Sequence, residues 1–206
     1  MCFHALATHP TDTPCPVQCC NTALDVATND EVKAALRQHG ARYSLFYAAE
    51  EGILELVADL IKEGADVNER DKASRTALHY AAGARQLEAG WQAREGHEAL
   101  AQGLLGAGAD INAADEYGWT PLHHTARNNK PEVAKVLLAN RAQVNVRDIG
   151  GRTPLHTAAE WNKPEVAKVL LANGAQVNAR TKDGWTALGL ARRKPEMEAL
   201  LLQPTE

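Results

Sequence analysis

Cysteine is missing from almost all of this 206-residue chain, since its four cysteines fall within the first 20 residues. The remaining body can hold neither a disulfide framework nor a multi-cysteine zinc site. Aromatic residues are also scarce: they make up 5% of the chain against 45% hydrophobic residues overall, which suits thin helices packed through Ala, Leu and Val. No apolar run approaches the ~20 residues that a membrane-spanning helix requires. Nor is the N-terminus a basic segment followed by a long apolar one, so neither membrane insertion nor a conventional signal peptide is expected. Twenty-two basic residues face twenty-six acidic ones, for a net charge of −4 without a basic run. Nucleic acid is therefore not an expected partner. There is no Gly-rich phosphate loop, His-Glu-x-x-His or Gly-x-Ser-x-Gly, and Glu50-Glu51 has no plausible partner base. The expectation is a non-enzyme with no catalytic residue, no cofactor and no metal site.

What the chain does contain is a near-duplication. Residues 120–152 and 153–185 are identical at 23 of 33 positions, including TPLH at 120–123 and 153–156 and KPEVAKVLLAN at 130–140 and 163–173. Thr120 and Thr153 can accept hydrogen bonds from free helix N–H groups, and Pro121 and Pro154 suit the first helical position. A short helix is predicted there. Asn129 and Asn162 tolerate the left-handed backbone that ends it. Pro131 and Pro164 then open a second helix, with Val133, Val136, Leu137 and their counterparts on one apolar stripe. The remainder of each copy, AQVNVRDIGG or AQVNARTKDG, is a turn-rich finger. So small a helix pair cannot bury its apolar face alone and needs neighbouring copies.

The spacing of 33, Thr-Pro-Leu-His, a paired-Leu second helix and Ala-x-Val-Asn, recurring in order, closely resemble the ankyrin repeat. The resemblance implies an all-α fold, a curved solenoid of stacked helix pairs with projecting finger loops. On this pattern the repeat domain covers 22–203. It comprises a shortened repeat at 22–41, full repeats at 43–75, 76–119, 120–152 and 153–185, and a C-terminal cap at 186–203, with a tail at 204–206. The 76–119 repeat carries eleven extra residues near 83–96, placed in a loop between its helices. Trp91 in that insertion either pins the loop back or is an exposed contact.

Residues 1–21 form a Cys/His/Pro-containing leader expected to be poorly ordered. A metal or redox site remains an alternative there, although Cys15-x3-Cys19-Cys20 fits no strong zinc spacing. Lipidation or a wrongly placed start codon are further alternatives.

His79, His123 and His156 recur one per repeat, so they cannot converge on one ion at ligand distances of about 2 Å. The resemblance implies that each hydrogen-bonds neighbouring backbone. His124 follows His123 directly and should point elsewhere on the helix. Asn68, Asn112, Asn145 and Asn178 are expected to brace finger turns, and the resemblance also allows asparagine hydroxylation. Arg141 stands where its copy has Gly174, at a left-handed helix end, and Ser74 stands where Gly118, Gly151 and Gly184 turn the other fingers. The first full finger is accordingly expected to have a different tip.

The resemblance places partner binding on the finger tips and the exposed, concave face of the first helices. Transferred position by position, that surface comprises Lys72, Arg75, Glu116, Tyr117, Trp119, Arg127, Asn128, Ile149, Arg152, Glu160, Trp161, Lys182, Asp183 and Trp185. Trp, Tyr and Arg are the residues that most often dominate binding energy. The alternative is that each tryptophan covers the adjacent finger within the chain. The expected function is protein–protein recognition by a monomeric, cytoplasmic scaffold binding an unknown protein. Alternatives are an effector secreted without a conventional signal peptide and a metal- or redox-responsive protein acting through its leader.

Overall fold

A computed structural model describes residues 45–83 and 91–202, the side chains of 91–96 excepted. These lie in a compact unit spanning 44–206. The leader, the 22–41 repeat, the Trp91 side chain and the 204–206 tail fall outside the described residues. Among those described there are ten helices and no strand: α1 (Leu45–Glu50), α2 (Leu54–Lys62), α3 (Ala77–Gly83), α4 (Trp91–Gly106), α5 (Pro121–Asn128), α6 (Pro131–Ala139), α7 (Pro154–Glu160), α8 (Pro164–Ala172), α9 (Ala187–Leu190) and α10 (Pro195–Leu201).

Each first helix opens by the chemistry its sequence predicts. Thr120 and Thr153 are extended N-caps, each followed by proline in the first turn. Each forms a reciprocal capping box in which histidine takes the place usually held by Glu or Gln. α5 ends at Asn129, with φ of 55°, and α7 at Trp161, followed by Asn162 with φ of 52°. The next proline restarts the chain as α6 or α8.

Odd-numbered and even-numbered helices form two layers, because α1, α3, α5, α7 and α9 pack in succession and so do α2, α4, α6, α8 and α10. Alanine makes the first layer thin: Ala48, Ala49, Ala77, Ala81, Ala82, Ala126, Ala158 and Ala159 are fully buried. Leucine fills the space between layers, with Leu78, Leu122 and Leu155 from one side and Leu100, Leu104, Leu137 and Leu170 from the other all inaccessible. Each such leucine contributes roughly 1.5–3 kcal/mol relative to exposure, so a repeat is stable only when its neighbours complete the burial.

The insertion departs from the expected loop. Residues 91–96 continue directly into the second helix of that repeat, making α4 16 residues long where α6 and α8 have nine. The remainder of the loop, 84–90, lies outside the described residues.

Candidate functional site

Five residues define each finger: 71–75, 115–119, 148–152 and 181–185. The first N–H bonds the fifth carbonyl at 2.9–3.0 Å, as in Asp71 N to Arg75 O and Thr181 N to Trp185 O. The fourth residue is left-handed in every finger: Ser74 at 60°, Gly118 at 77°, Gly151 at 74° and Gly184 at 81°. The Ser74 finger therefore has the same tip as the others, against expectation, and it repeats the Ser74 N to Asp71 O bond. Successive fingers are joined by Glu116 N to Ala73 O, Ile149 N to Tyr117 O and Lys182 N to Gly150 O. Where fingers meet, a Cβ at Gly118 or Gly151 would stand 3.0 Å from the next finger's backbone nitrogen. Glycine is favoured there by the tight approach as well as by φ, although Ser74 holds the same position in the first finger.

The first finger residue is the one that its sequence did not disclose. Asp71, Asp115 and Asp148 turn a carboxylate oxygen inward to accept the N–H of the fifth residue at 2.7–2.8 Å. Thr181 does the same with its hydroxyl at 3.1 Å. The second carboxylate oxygen is then available to side chains. Asp71 takes Arg75 and the Tyr80 hydroxyl, Asp115 takes His124 Nε2 at 3.1 Å, and Asp148 takes Arg152 Nε at 3.2 Å together with Trp119 Nε1 at 3.1 Å. Burial works to raise the Asp71 carboxyl, but the Arg75 N–H, the Tyr80 hydroxyl and the Arg75 guanidinium outweigh it and hold it below its ordinary value. Asp115 is lowered similarly: its burial is outweighed by His124 and by the Trp119 and Tyr117 N–H groups. Burial and the bond to Asp71 push the Tyr80 hydroxyl up to about 12. The visible signal was an aspartate five residues before Thr76, Thr120 and Thr153.

The recurrent histidines fix this row from behind. In each, Nδ1 accepts from its own threonine N–H, leaving Nε2–H to donate to the fifth carbonyl of the next finger: His79 to Trp119 O, His123 to Arg152 O and His156 to Trp185 O, at 3.0–3.2 Å. Burial drives His79 and His123 down to about 4 and lowers His156, so all three are neutral near pH 7. His123 and His124 do diverge, one toward the backbone and the other toward Asp115. Asn68, Asn112 and Asn145 act differently from expectation, each bonding the next repeat. Asn68 bridges to Gly108 O and Asp110 N of the next repeat, and Asn145 to Gly174 O and Gln176 N. Asp66 and Asp110 brace the turns instead.

Seven of the singled-out residues converge. Arg75, Glu116, Tyr117, Trp119, Arg127, Ile149 and Arg152 line one open depression of about 490 Å³, together with Asp115, His124 and Asp148. Tyr117 and Ile149 project from adjacent tips, 64% and 61% exposed. Trp119 is half-buried, stacking on His123 and bonding Asp148 of the next finger. Glu160 pairs with Arg152 at 2.9 Å. Arg127 lies over Trp161 at 4.8 Å and Trp119 at 5.7 Å from the ring centres. Asn128 lines a neighbouring recess with His79, Tyr80 and Gly83. Trp185 lines a separate recess with Leu188, Arg192 and Leu202. Lys72, Lys182 and Asp183 are exposed on finger tips outside these recesses. Among the described residues no group of three or more His, Cys, Asp or Glu could hold a metal ion. No helix among them is long and apolar enough to cross a membrane.

Comparison with known families agrees with this architecture. A family model described as ankyrin repeats (many copies) matches residues 45–89, and one described as ankyrin repeats (3 copies) matches 90–181. No curated protein matches the chain. Ankyrin repeats generally serve as protein–protein interaction modules. The repeating helix pairs, the histidine-pinned fingers and both family matches place this chain in the ankyrin-repeat family.

Proposed function

We propose that the chain is a non-catalytic recognition module that binds a protein partner through its finger tips and first helices, centred on the depression between Arg75, Trp119, Ile149 and Arg152. One observation carries this reading. Two large apolar side chains, Tyr117 and Ile149, stand exposed on tips whose backbones are tied to each other and to the helices behind them. Such a surface is organised before a partner arrives, so little backbone order is lost on association. Trp119 and Arg152, held beside them by Asp148, supply anchors of the kind that concentrate binding energy.

The test is affinity capture from the source cell with the intact protein, a Tyr117→Ala/Ile149→Ala double variant and a deletion of residues 1–20. The two substituted side chains are exposed, so the variant should retain the parent's thermal midpoint. A partner captured by the parent and the deletion but lost from the double variant is the expected result. A partner lost only on deletion would move recognition to the leader and refute this assignment.

A further inference from the structure

Most charged groups around the depression are bonded within the chain: Arg75 is taken by Asp71 at 2.8 Å, Arg152 is shared by Asp148 and Glu160, and Asp115 is hydrogen-bonded to His124. Two lining side chains are left over. Arg127 forms no ion pair among the described residues, its guanidinium being held only against the faces of Trp119 and Trp161. Glu116, exposed on a finger tip, forms none either.

Resting on the recognition reading above, we infer that the depression takes an extended segment of a protein partner bearing one carboxylate for Arg127 beside an apolar side chain for the Tyr117–Ile149 tip. The guanidinium is suited to this role. Its charge is not quenched by a carboxylate, its ring contacts restrict its rotamers, and its N–H edge can bond both oxygens of an incoming carboxylate. Tyr117 and Ile149 give an adjoining apolar group somewhere to bury. Glu116 limits the class further, because a run of acidic residues crossing the same depression would meet its negative charge. The occupant is therefore a mixed acidic–apolar segment and not a polyacidic one.

The test uses a phage-displayed library of random peptides selected on the parent protein, followed by titration of the consensus peptide against variants. The expected consensus has a single Asp or Glu with an apolar residue within two positions. Arg127→Gln should weaken its binding at least tenfold, Arg127→Lys less, and Ile149→Ala severalfold. Changing the peptide's carboxylate to its amide should cost a similar factor on the parent and almost nothing on Arg127→Gln. A consensus lacking a carboxylate yet sensitive to Ile149→Ala would overturn this inference and leave the recognition reading standing. Selection of basic or polyacidic peptides at the depression would overturn it too. A library yielding no binder sensitive to any change in the depression would count against both.

Discussion

Replacing Arg141 with glycine perturbs one backbone torsion and little else. Arg141 sits at φ 69°, where the corresponding Gly64, Gly108 and Gly174 have 94°, 90° and 83°. Its surroundings repeat theirs: Arg141 N bonds Leu138 O and Ala142 N bonds Leu137 O, as Gly174 N bonds Leu171 O and Ala175 N bonds Leu170 O. The arginine side chain is exposed and joins no ion pair among the described residues, so its removal forfeits no contact. Holding a side chain in the left-handed region costs about 1–2 kcal/mol. Glycine returns roughly 0.4–1 kcal/mol of that through the greater freedom of its unfolded chain. The net expectation is about 0.5–1 kcal/mol of stabilisation, or roughly 1–4 °C in the thermal midpoint for a unit of this size. One local feature adds to it. Asn112 reaches Gln143 N but not the carbonyl of Arg141, whereas Asn68 and Asn145 complete the matching bond to Gly108 and Gly174. Urea titration and calorimetry of Arg141→Gly against the parent measure the effect. An unchanged or lower midpoint would refute the claim that the left-handed arginine is strained.

Two further perturbations test the site's construction. His79 and His123 have folded-state values near 4 against 6.5 when exposed, so the unfolded chain binds protons that the native one does not. Their contribution is intact above pH 6.5 and is lost as pH falls from 6.5 toward 4, on the order of 3 kcal/mol for each, with His156 acting in the same direction. The urea midpoint should be level between pH 7 and 8 and fall steeply from 6.5 to 5, with about two or more protons taken up on unfolding near pH 5.5; a level midpoint down to pH 5 would contradict the neutral-histidine assignment. Asp148→Ala should cost about 2–4 kcal/mol by stripping the buried acceptor from Trp119 Nε1 and the Arg152 N–H. Asp148→Thr, which copies Thr181, should cost less because it retains the backbone bond; equal midpoints for the two variants would show that the hydroxyl does not substitute.

The helices and finger turns were legible because their signals are local. Thr-Pro starts, left-handed Asn129 and Asn162 and the strained Arg141 each depend on one residue's own torsions, which survive whatever lies across the repeat. Packing through alanine and leucine followed from the scarcity of aromatics and the apolar stripe of the second helix, and the stacking of helix pairs from the ankyrin resemblance. The site was less legible, because its bonds cross repeats. Nothing near Trp119 in sequence says that its indole nitrogen will meet Asp148, 29 residues away. Nor could Asn68 be told from a turn brace without the neighbour that it bridges to. Trp119 and Trp185 occupy one register position, yet the first is half-buried and the second 48% exposed. The difference lies in the finger that follows: Asp148 is there for Trp119, and no finger follows Trp185 among the described residues. The insertion was misjudged because a length change marks where residues are added and does not say whether the added residues join a helix.

The finger geometry explains how its fifth position can alternate between arginine and tryptophan, at 75, 119, 152 and 185. At Trp119, Arg152 and Trp185 the N–H goes to the first finger residue, while the carbonyl takes that residue's N–H and the preceding repeat's histidine. The backbone is fully bonded whatever the side chain is. Identity there is then governed by one remaining group, the second oxygen of the first residue. Arginine at 75 and 152 folds back onto Asp71 and Asp148. Tryptophan at 119 turns to Asp148 instead, and the second oxygen of Asp115 is bonded by His124 Nε2 from the first helix, at the position where Tyr80 bonds Asp71. At 185 the first residue is Thr181, which leaves no second oxygen to satisfy, so the indole needs no such substitute. A change from arginine to tryptophan in this row therefore calls for a compensating donor on the helix or loss of the carboxylate, and both solutions occur in this chain. The array can thus alter its outward chemistry repeat by repeat without disturbing the ladder that holds it together.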